Sequence, residues 1–332
     1  MAFNFTSVPA SALHLSYAQQ LYLQSNHPFY YTPHPEIIEG VPDWVTSLVA
    51  PTVTYWIVSL VFQLLDSSDA EWLKRYRLHE SEEVQSKNLV SKFTVFQAVI
   101  FQQIIQNLAG YWWMDKDAVS GAGVDHLSAM TALLPRVYFF LSRALGDSAT
   151  AEVLKNYADT ILYLVYWWFI PVGRFFFGMF IIDTWQYFLH RAMHMNTFLY
   201  KAFHSVHHRL YVPYAFGALY NHPLEGFVLD TAGAVLAEVI AGMGIREATL
   251  LFTVSTMKTV DDHCGYKIPW DPLQFFSSNN ADYHDIHHQQ IGIKSNFSQP
   301  FFIHWDVILG TRMTRKDIEM KKQQRKHGLK AE

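Results

Sequence analysis

Cysteine is nearly absent from this chain. Cys264 stands alone among 332 residues, which excludes an intrachain disulfide framework. Charge is scarce as well: Asp, Glu, Lys and Arg make up 16% of the residues, against about a quarter in ordinary soluble domains. With a net charge of −4, the chain has no basic surface of the kind that nucleic acid requires. No lysine or arginine occurs before Lys74, so the N-terminus lacks the basic n-region and apolar run of a cleaved signal peptide. Membrane insertion is therefore expected to rest on internal segments. There is no Gly-rich phosphate loop, no Ser or Cys nucleophile constellation, no H-E-x-x-H and no nucleotide or haem motif, which removes the common routes to hydrolysis and phosphoryl transfer.

What the chain has instead is histidine. Eight of its 17 histidines fall in three short clusters: His190 and His194 in HRAMH, His204, His207 and His208 in HSVHH, and His284, His287 and His288 in HDIHH. On a helix, residues three and four apart share a face, so each cluster is expected to aim its imidazoles in one direction. Neutral imidazole is the commonest protein metal ligand and suits zinc, copper, iron and nickel. A lone histidine is more often a solvated or hydrogen-bonded side chain, but three clusters at ligand spacing are not explained that way. They exceed the need of one tetrahedral ion and point to a two-metal centre. No catalytic side chain is expected beyond the metal ligands.

The apolar residues are gathered into long runs. Residues 44–65 contain no charge and are long enough to span a bilayer, and residues 93–114 are also uncharged, though interrupted by glutamines and an asparagine. Residues 160–182 are apolar apart from Arg174, with Pro171 expected to kink the helix. Residues 226–258 are apolar but broken near Gly242 to Glu247, which reads as two short helices dipping into the membrane and returning. A large soluble helical core is the weaker reading, because such uncharged runs exceed most core helices. Lys74, Arg75, Arg77, Lys87 and Lys92 follow the first run, so the positive-inside rule places that loop in the cytosol and the N-terminus in the lumen. Counting spans onward brings all three histidine clusters to the cytosolic side.

The expected fold is all-α: an integral-membrane helical bundle with a cytosolic helical cap holding a histidine-rich di-metal site. Residues 1–43 are expected as a loose lumenal segment, 44–310 as the membrane-embedded catalytic domain, and 311–332 as a basic cytosolic tail. Residues 115–155 read as a lumenal connection with an amphipathic piece near Leu134 to Leu145. Of two acceptor sequons, Asn4-Phe5-Thr6 falls on the lumenal side, while Asn296-Phe297-Ser298 falls in the cytosol and should stay unmodified. The terminal GLKAE does not form a dilysine retrieval signal.

The text around the clusters is recognisable. The strings IDTWQYFLHRAMHMN, LYKAFHSVHHRLYVPYAFGALYNHPLEG, TMKTVDDHCGY and NNADYHDIHHQQIGIKSNFSQPFF resemble the fatty acid hydroxylase/sterol desaturase superfamily of integral-membrane di-iron enzymes. Their detail is closest to its fungal branch that hydroxylates sphingolipid long-chain bases at C4. The resemblance covers roughly residues 44–310. It implies two further metal ligands, His263 in DDHCGY and His222 in NHPLE, for ten in all. It implies two iron ions, O2, and electrons from NADPH delivered through a reductase and cytochrome b5, in the endoplasmic reticulum membrane. Zinc is expected to displace ferrous iron in recombinant material, following the Irving–Williams order. The implied reaction is C4 hydroxylation of sphinganine or dihydroceramide to phytosphingosine or phytoceramide. A sterol desaturase or sterol methyl oxidase would share every histidine, and a histidine-rich metal transporter stays open as a reading from another class.

Ligand imidazoles need their second nitrogen held, often by a carboxylate. Asp183, Glu225, Asp230, Asp261, Asp262, Asp282 and Asp285 lie near the clusters, with Asp261 and Asp262 foremost because they precede His263. Trp185, Tyr187, Tyr211, Tyr214 and Tyr220 read equally as a substrate wall or an interfacial belt. His304 is expected to be structural, and His14, His27, His34, His79, His126 and His327 solvated.

Overall fold

The computed structural model describes residues 14–68, 70–80, 83, 86–114 and 123–328. The Asn4 sequon, most of the stretch containing D-K-D and G-A-G, and the last residues of the chain lie outside these. The described residues are helical, with two isolated bridges and no sheet. The principal helices are α1 (Tyr17–Ser25), α2 (Asp43–Ser67), α3 (Lys92–Trp113), α4 (Leu134–Leu145), α5 (Asp147–Leu164), α6 (Ile170–Met195), α7 (Ala232–Ala241), α8 (Ile245–Asp262), α9 (Ala281–His288) and α10 (Arg315–Gly328). Two helical runs are long and apolar enough to cross a membrane: Asp43–Ser67, and the continuous run Asp147–Met195. Helix α3 forms where a span is expected, but its amides lower its hydropathy. They face inward, where Gln103 Oε1 accepts from the Trp56 indole at 2.9 Å and Asn107 donates to Thr52 at 3.2 Å.

The described residues form two compact units. One takes its residues from Met1–Pro42 and Asp117–Phe175. Of the N-terminal segment, the described residues from 14 onward pack against this unit. Ser16 and Gln19 close a reciprocal capping box at the start of α1, and Gln19 also donates to the carbonyls of Leu154 and Lys155 on α5. Leu23 is buried with Met130, Leu134, Leu154 and Leu162. Helix α4 has the expected bounds and stops at Gly146, whose φ of 81° would strain any other residue. His126, expected in solvent, instead meets Tyr166 OH at 2.9 Å and sits against Trp167, because the aromatic surplus of this unit encloses it.

The other unit takes its residues from Asp43–Lys116 and Phe176–Glu332, and holds every clustered histidine. Helices α2 and α8 run side by side in the same direction. Asp43 at the start of α2 accepts from Arg246 at the start of α8 at 2.6 Å, and Tyr266, just beyond α8, donates to Asp66 near the end of α2 at 2.5 Å. The expected break in the fourth apolar run is real: α7 ends at Gly242 in the left-handed region, and Glu247 accepts from the Gly244 N–H to start α8. Pro171 has a structural accommodation too, since a π-helical turn over Val165–Phe169 immediately precedes its helix. Thr311, Met313 and Arg315, assigned by sequence to a tail, are joined to this unit. Thr311 donates to Asp306, Met313 donates its N–H to Asn296, and Arg315 pairs with Asp282 and Asp285.

Candidate metal centre

Nine histidines converge, all buried and all through Nε2. His190, His194, His204, His208 and His287 form one group, and His207, His263, His284 and His288 a second; within each, the ring nitrogens lie within 4.8 Å of one another. His190 and His194 stand one turn apart at the end of α6. The HDIHH cluster lies on α9, whose N-cap Asn280 accepts from the Tyr283 N–H at 3.1 Å. The HSVHH cluster is not on one regular helix, as its spacing predicts. Its His204 ends a π-helical turn, and its His207 and His208 begin a 3₁₀ turn.

The two H-x2-HH clusters are divided in a crossed manner. His204 and His208 enter the five-membered group while His207 enters the other; His284 and His288 enter the four-membered group while His287 crosses to the first. For the HDIHH cluster on α9 the reason is helical geometry. Successive residues turn by about 100°, so i and i+4 differ by about 40° while i+3 lies about 60° to the other side of i. One cluster can thus address two ions.

The ring tautomers follow from the partners on Nδ1. His190 donates to the Phe297 carbonyl at 2.8 Å, His207 to Tyr220 at 3.1 Å and His263 to Thr259 at 2.8 Å. His287 donates to Ser295 at 2.7 Å and His288 to Leu210 at 2.8 Å. Carbonyls cannot donate, so in the neutral rings of His207, His263, His287 and His288 the proton is on Nδ1 and Nε2 is a bare lone pair, while His190 Nδ1 also meets Gln299 Nε2 at 3.0 Å. Yet His207 and His263 face each other through Nε2 at 3.4 Å, and other Nε2 pairs stand at 3.0 to 3.2 Å. Facing lone pairs repel unless a cation lies between them. Two imidazoles about 2.1 Å from one ion, at angles between octahedral and tetrahedral, have nitrogens about 3.0 to 3.4 Å apart. The donor set therefore fits a di-metal centre, in which His190, His194, His204, His208 and His287 would hold one ion and His207, His263, His284 and His288 the other.

One carboxylate orients a ligand directly, and it is Glu225. It accepts from His204 Nδ1, and burial pushes its pKa up to about 8 while its second oxygen lacks a partner. Gly226 beside it permits a close approach of α3, where a Cβ would meet the Gln102 side chain at 2.0 Å. Asp261 and Asp262, the foremost sequence candidates, turn away from His263, whose Nδ1 is already taken by its own helix. They bond Gln274 and Lys258 instead. Asp183 and Asp306 act one step back. Asp183 accepts from the N–H groups of Phe301 and Phe302, and Asp306 from those of Phe297 and Ser298, from Thr311 and from Tyr283. Together they hold the strap whose Ser295 and Phe297 carbonyls orient His287 and His190. The only sequence signal for Asp306 is the W-D-x-x-x-G-T string.

Of the remaining histidines, His222 lies outside both groups. It caps the short helix Pro223–Gly226, accepting from the Leu224 N–H at 3.2 Å, with its ring against Phe203. His79, expected in solvent, joins Glu83 to Asp285. Asn296 is buried at φ 56° and bonds Tyr283 and Met313, which closes its sequon to any modifying enzyme. Tyr187, Tyr214 and Tyr220 are core residues.

Burial pulls the His207 ring down to about 4 and the His263 ring to about 3. In the unfolded chain such rings take up protons near 6.5. Across that window the unfolded state binds more protons, so the metal-free protein is expected to lose stability as pH falls from about 6.5 toward about 4. Thermal unfolding of the metal-free protein in detergent, followed by near-UV circular dichroism, checks this. A midpoint that stays flat through the window contradicts it.

Comparison with known proteins agrees with this chemistry. The fatty acid hydroxylase family model matches residues 175–311. The sphingolipid C4-hydroxylase of Saccharomyces cerevisiae is 44% identical over 293 residues, 88% of this chain and 78% of the relative. The sphinganine C4-monooxygenase 1 of Arabidopsis thaliana is 42% identical, over 82% of this chain and 89% of the relative. A rice protein (Oryza sativa subsp. indica) named as a very-long-chain aldehyde decarbonylase is 39% identical, over 82% and 90% respectively. No solved structure matches the chain. With two segregated histidine groups and relatives alike over most of their length, the chain belongs to the fatty acid hydroxylase family of oxidoreductases.

Proposed function

We propose that this protein is a di-iron monooxygenase that hydroxylates C4 of the long-chain base of sphinganine or dihydroceramide, giving phytosphingosine or phytoceramide. The observation that carries the reading is identity above 40% to sphingolipid C4-hydroxylases across more than four fifths of this chain. The reaction converts one C–H bond, O2, two electrons and two protons into C–OH and water. As the family resemblance implies, the electrons come from NADPH through a reductase and cytochrome b5. Bound iron supplies O2 activation and the oxidising power that side chains lack. The protein's own part is to hold nine lone pairs on two points, keep His207 and His263 neutral, and bring a lipid to them without exposing the site to water. The resemblance implies a multi-pass protein of the endoplasmic reticulum membrane, and Lys74, Arg75, Arg77, Lys87 and Lys92 after the first apolar run support a site toward the cytosol. His222 is proposed as a tenth ligand only if its helix cap opens.

A strain without its own C4-hydroxylase, given this gene, is expected to regain 4-hydroxylated long-chain bases with unchanged sterols. Mass spectrometry of both lipid classes checks it, with sphinganine and dihydroceramide then supplied side by side to the purified enzyme. Altered sterol intermediates, or alkane released from long-chain aldehyde, would move the assignment to another branch of the family.

A further inference from the structure

The metal-bearing unit contains a cleft of about 170 Å³, and Leu48, Thr52 and Asn107 separate it from an apolar groove on α2 and α3. Four buried polar atoms without any hydrogen-bond partner belong to side chains lining this one cleft: Ser47 Oγ, Asp230 Oδ2, Thr231 Oγ1 and Ser255 Oγ. Polar atoms buried without partners are costly, and four on side chains that line one cleft would gain from a polar ligand. The only charged residues lining the cleft are Asp230 and Glu238, so the field inside it favours a cation. An acidic, hydroxyl-lined cleft fits a polar head that carries a positive charge.

The cleft also lies at a defined distance from the metal ligands. Asp230 Oδ1 accepts from Gln186 Nε2 at 3.3 Å, and Gln186 precedes His190 by one turn of α6, about 6 Å. Thr259, another lining residue, precedes His263 by one turn and holds that ring through its carbonyl. The cleft thus ends one helical turn from a ligand of each group.

We propose that Asp230 is the substrate-anchoring residue: its free carboxylate oxygen binds the primary ammonium of the long-chain base, and Thr231 and Ser255 take the neighbouring hydroxyls. This rests on the sphingoid reading above. The amine is on C2, so an anchor one turn from the ligands makes C4, two carbons on, the position presented to the metals. An N-acylated base has no positive charge to offer and would leave the Asp230 carboxylate without a counter-ion. The free base is therefore the preferred substrate.

The test measures binding and turnover on the full-length protein in lipid nanodiscs, with metal content determined for every sample. Charged hydrogen bonds of this kind change affinity by about tenfold to a hundredfold. Wild type is expected to bind radiolabelled sphinganine more tightly than dihydroceramide. Asp230→Asn should raise the Kd and KM for sphinganine by about tenfold or more, leave those for dihydroceramide nearly unchanged, and change kcat little. A fully metallated Asp230→Asn that binds sphinganine as wild type does overturns the anchor, as does wild type with no affinity for sphinganine. Should Asp230→Asn lose its metal, Ser255→Ala decides: weaker sphinganine binding by several-fold supports the site, and unchanged binding overturns it. Asp230-dependent binding without any hydroxylated product keeps the anchor and removes the proposed reaction, so the two fail separately.

Discussion

Replacing His207 with alanine is expected to abolish hydroxylation and to cost the protein close to half of its bound metal. His207 belongs to the smaller group, where only His263, His284 and His288 remain to hold an ion. Its loss also leaves the Tyr220 carbonyl without a donor, a penalty of about 1–3 kcal/mol if water does not enter. The five-histidine group keeps every ligand, so one ion should persist. Elemental analysis beside product measurement checks both parts, with at least a thousandfold drop in rate expected because oxidation of an unactivated C–H bond has no fallback among side chains. A variant with a full metal complement and wild-type turnover would remove His207 from the centre.

The second large effect is expected at Glu225. In Glu225→Ala the His204 Nδ1–H has no acceptor, and the ring loses both its orientation and the electron density a carboxylate lends it. Partners of this kind are worth about tenfold to a hundredfold in metal affinity or activity. Glu225→Gln restores an acceptor oxygen and should recover much of the binding. Competition with a chelator of known affinity gives the ordering wild type, Gln, Ala. Equal affinities would mean that the contact between His204 and Glu225 contributes nothing to the site.

The choice of Glu225 shows where sequence proximity misleads. Asp261 and Asp262 adjoin His263, yet the ring folds back on its own helix and takes the Thr259 carbonyl. Glu225 is 21 residues from His204 and reaches it because the chain returns through Tyr220 and the Pro223–Gly226 turn. The same holds for Asp306, which touches no ligand histidine and is legible only as part of a short string. Its role comes from accepting the backbone N–H groups of a strap whose carbonyls fix two rings. Backbone carbonyls supply five of the ring contacts on Nδ1, and any residue type can offer a carbonyl.

Spacing and composition by themselves determined that the chain is helical, that it has long apolar runs, and that its clustered histidines suit a metal centre. These are local properties: ligand type is written in the residue, and the apolar period of a helix is written in its neighbours. Only the tertiary structure decided how the histidines divide into groups of five and four, why His222 stands apart, and which carboxylate orients a ring. Those outcomes depend on contacts between residues as distant as His190 and Phe297. They turn on angles within a π turn and a 3₁₀ turn that the H-x2-HH spacing reads as plain helix, and so only the folded chain contains them.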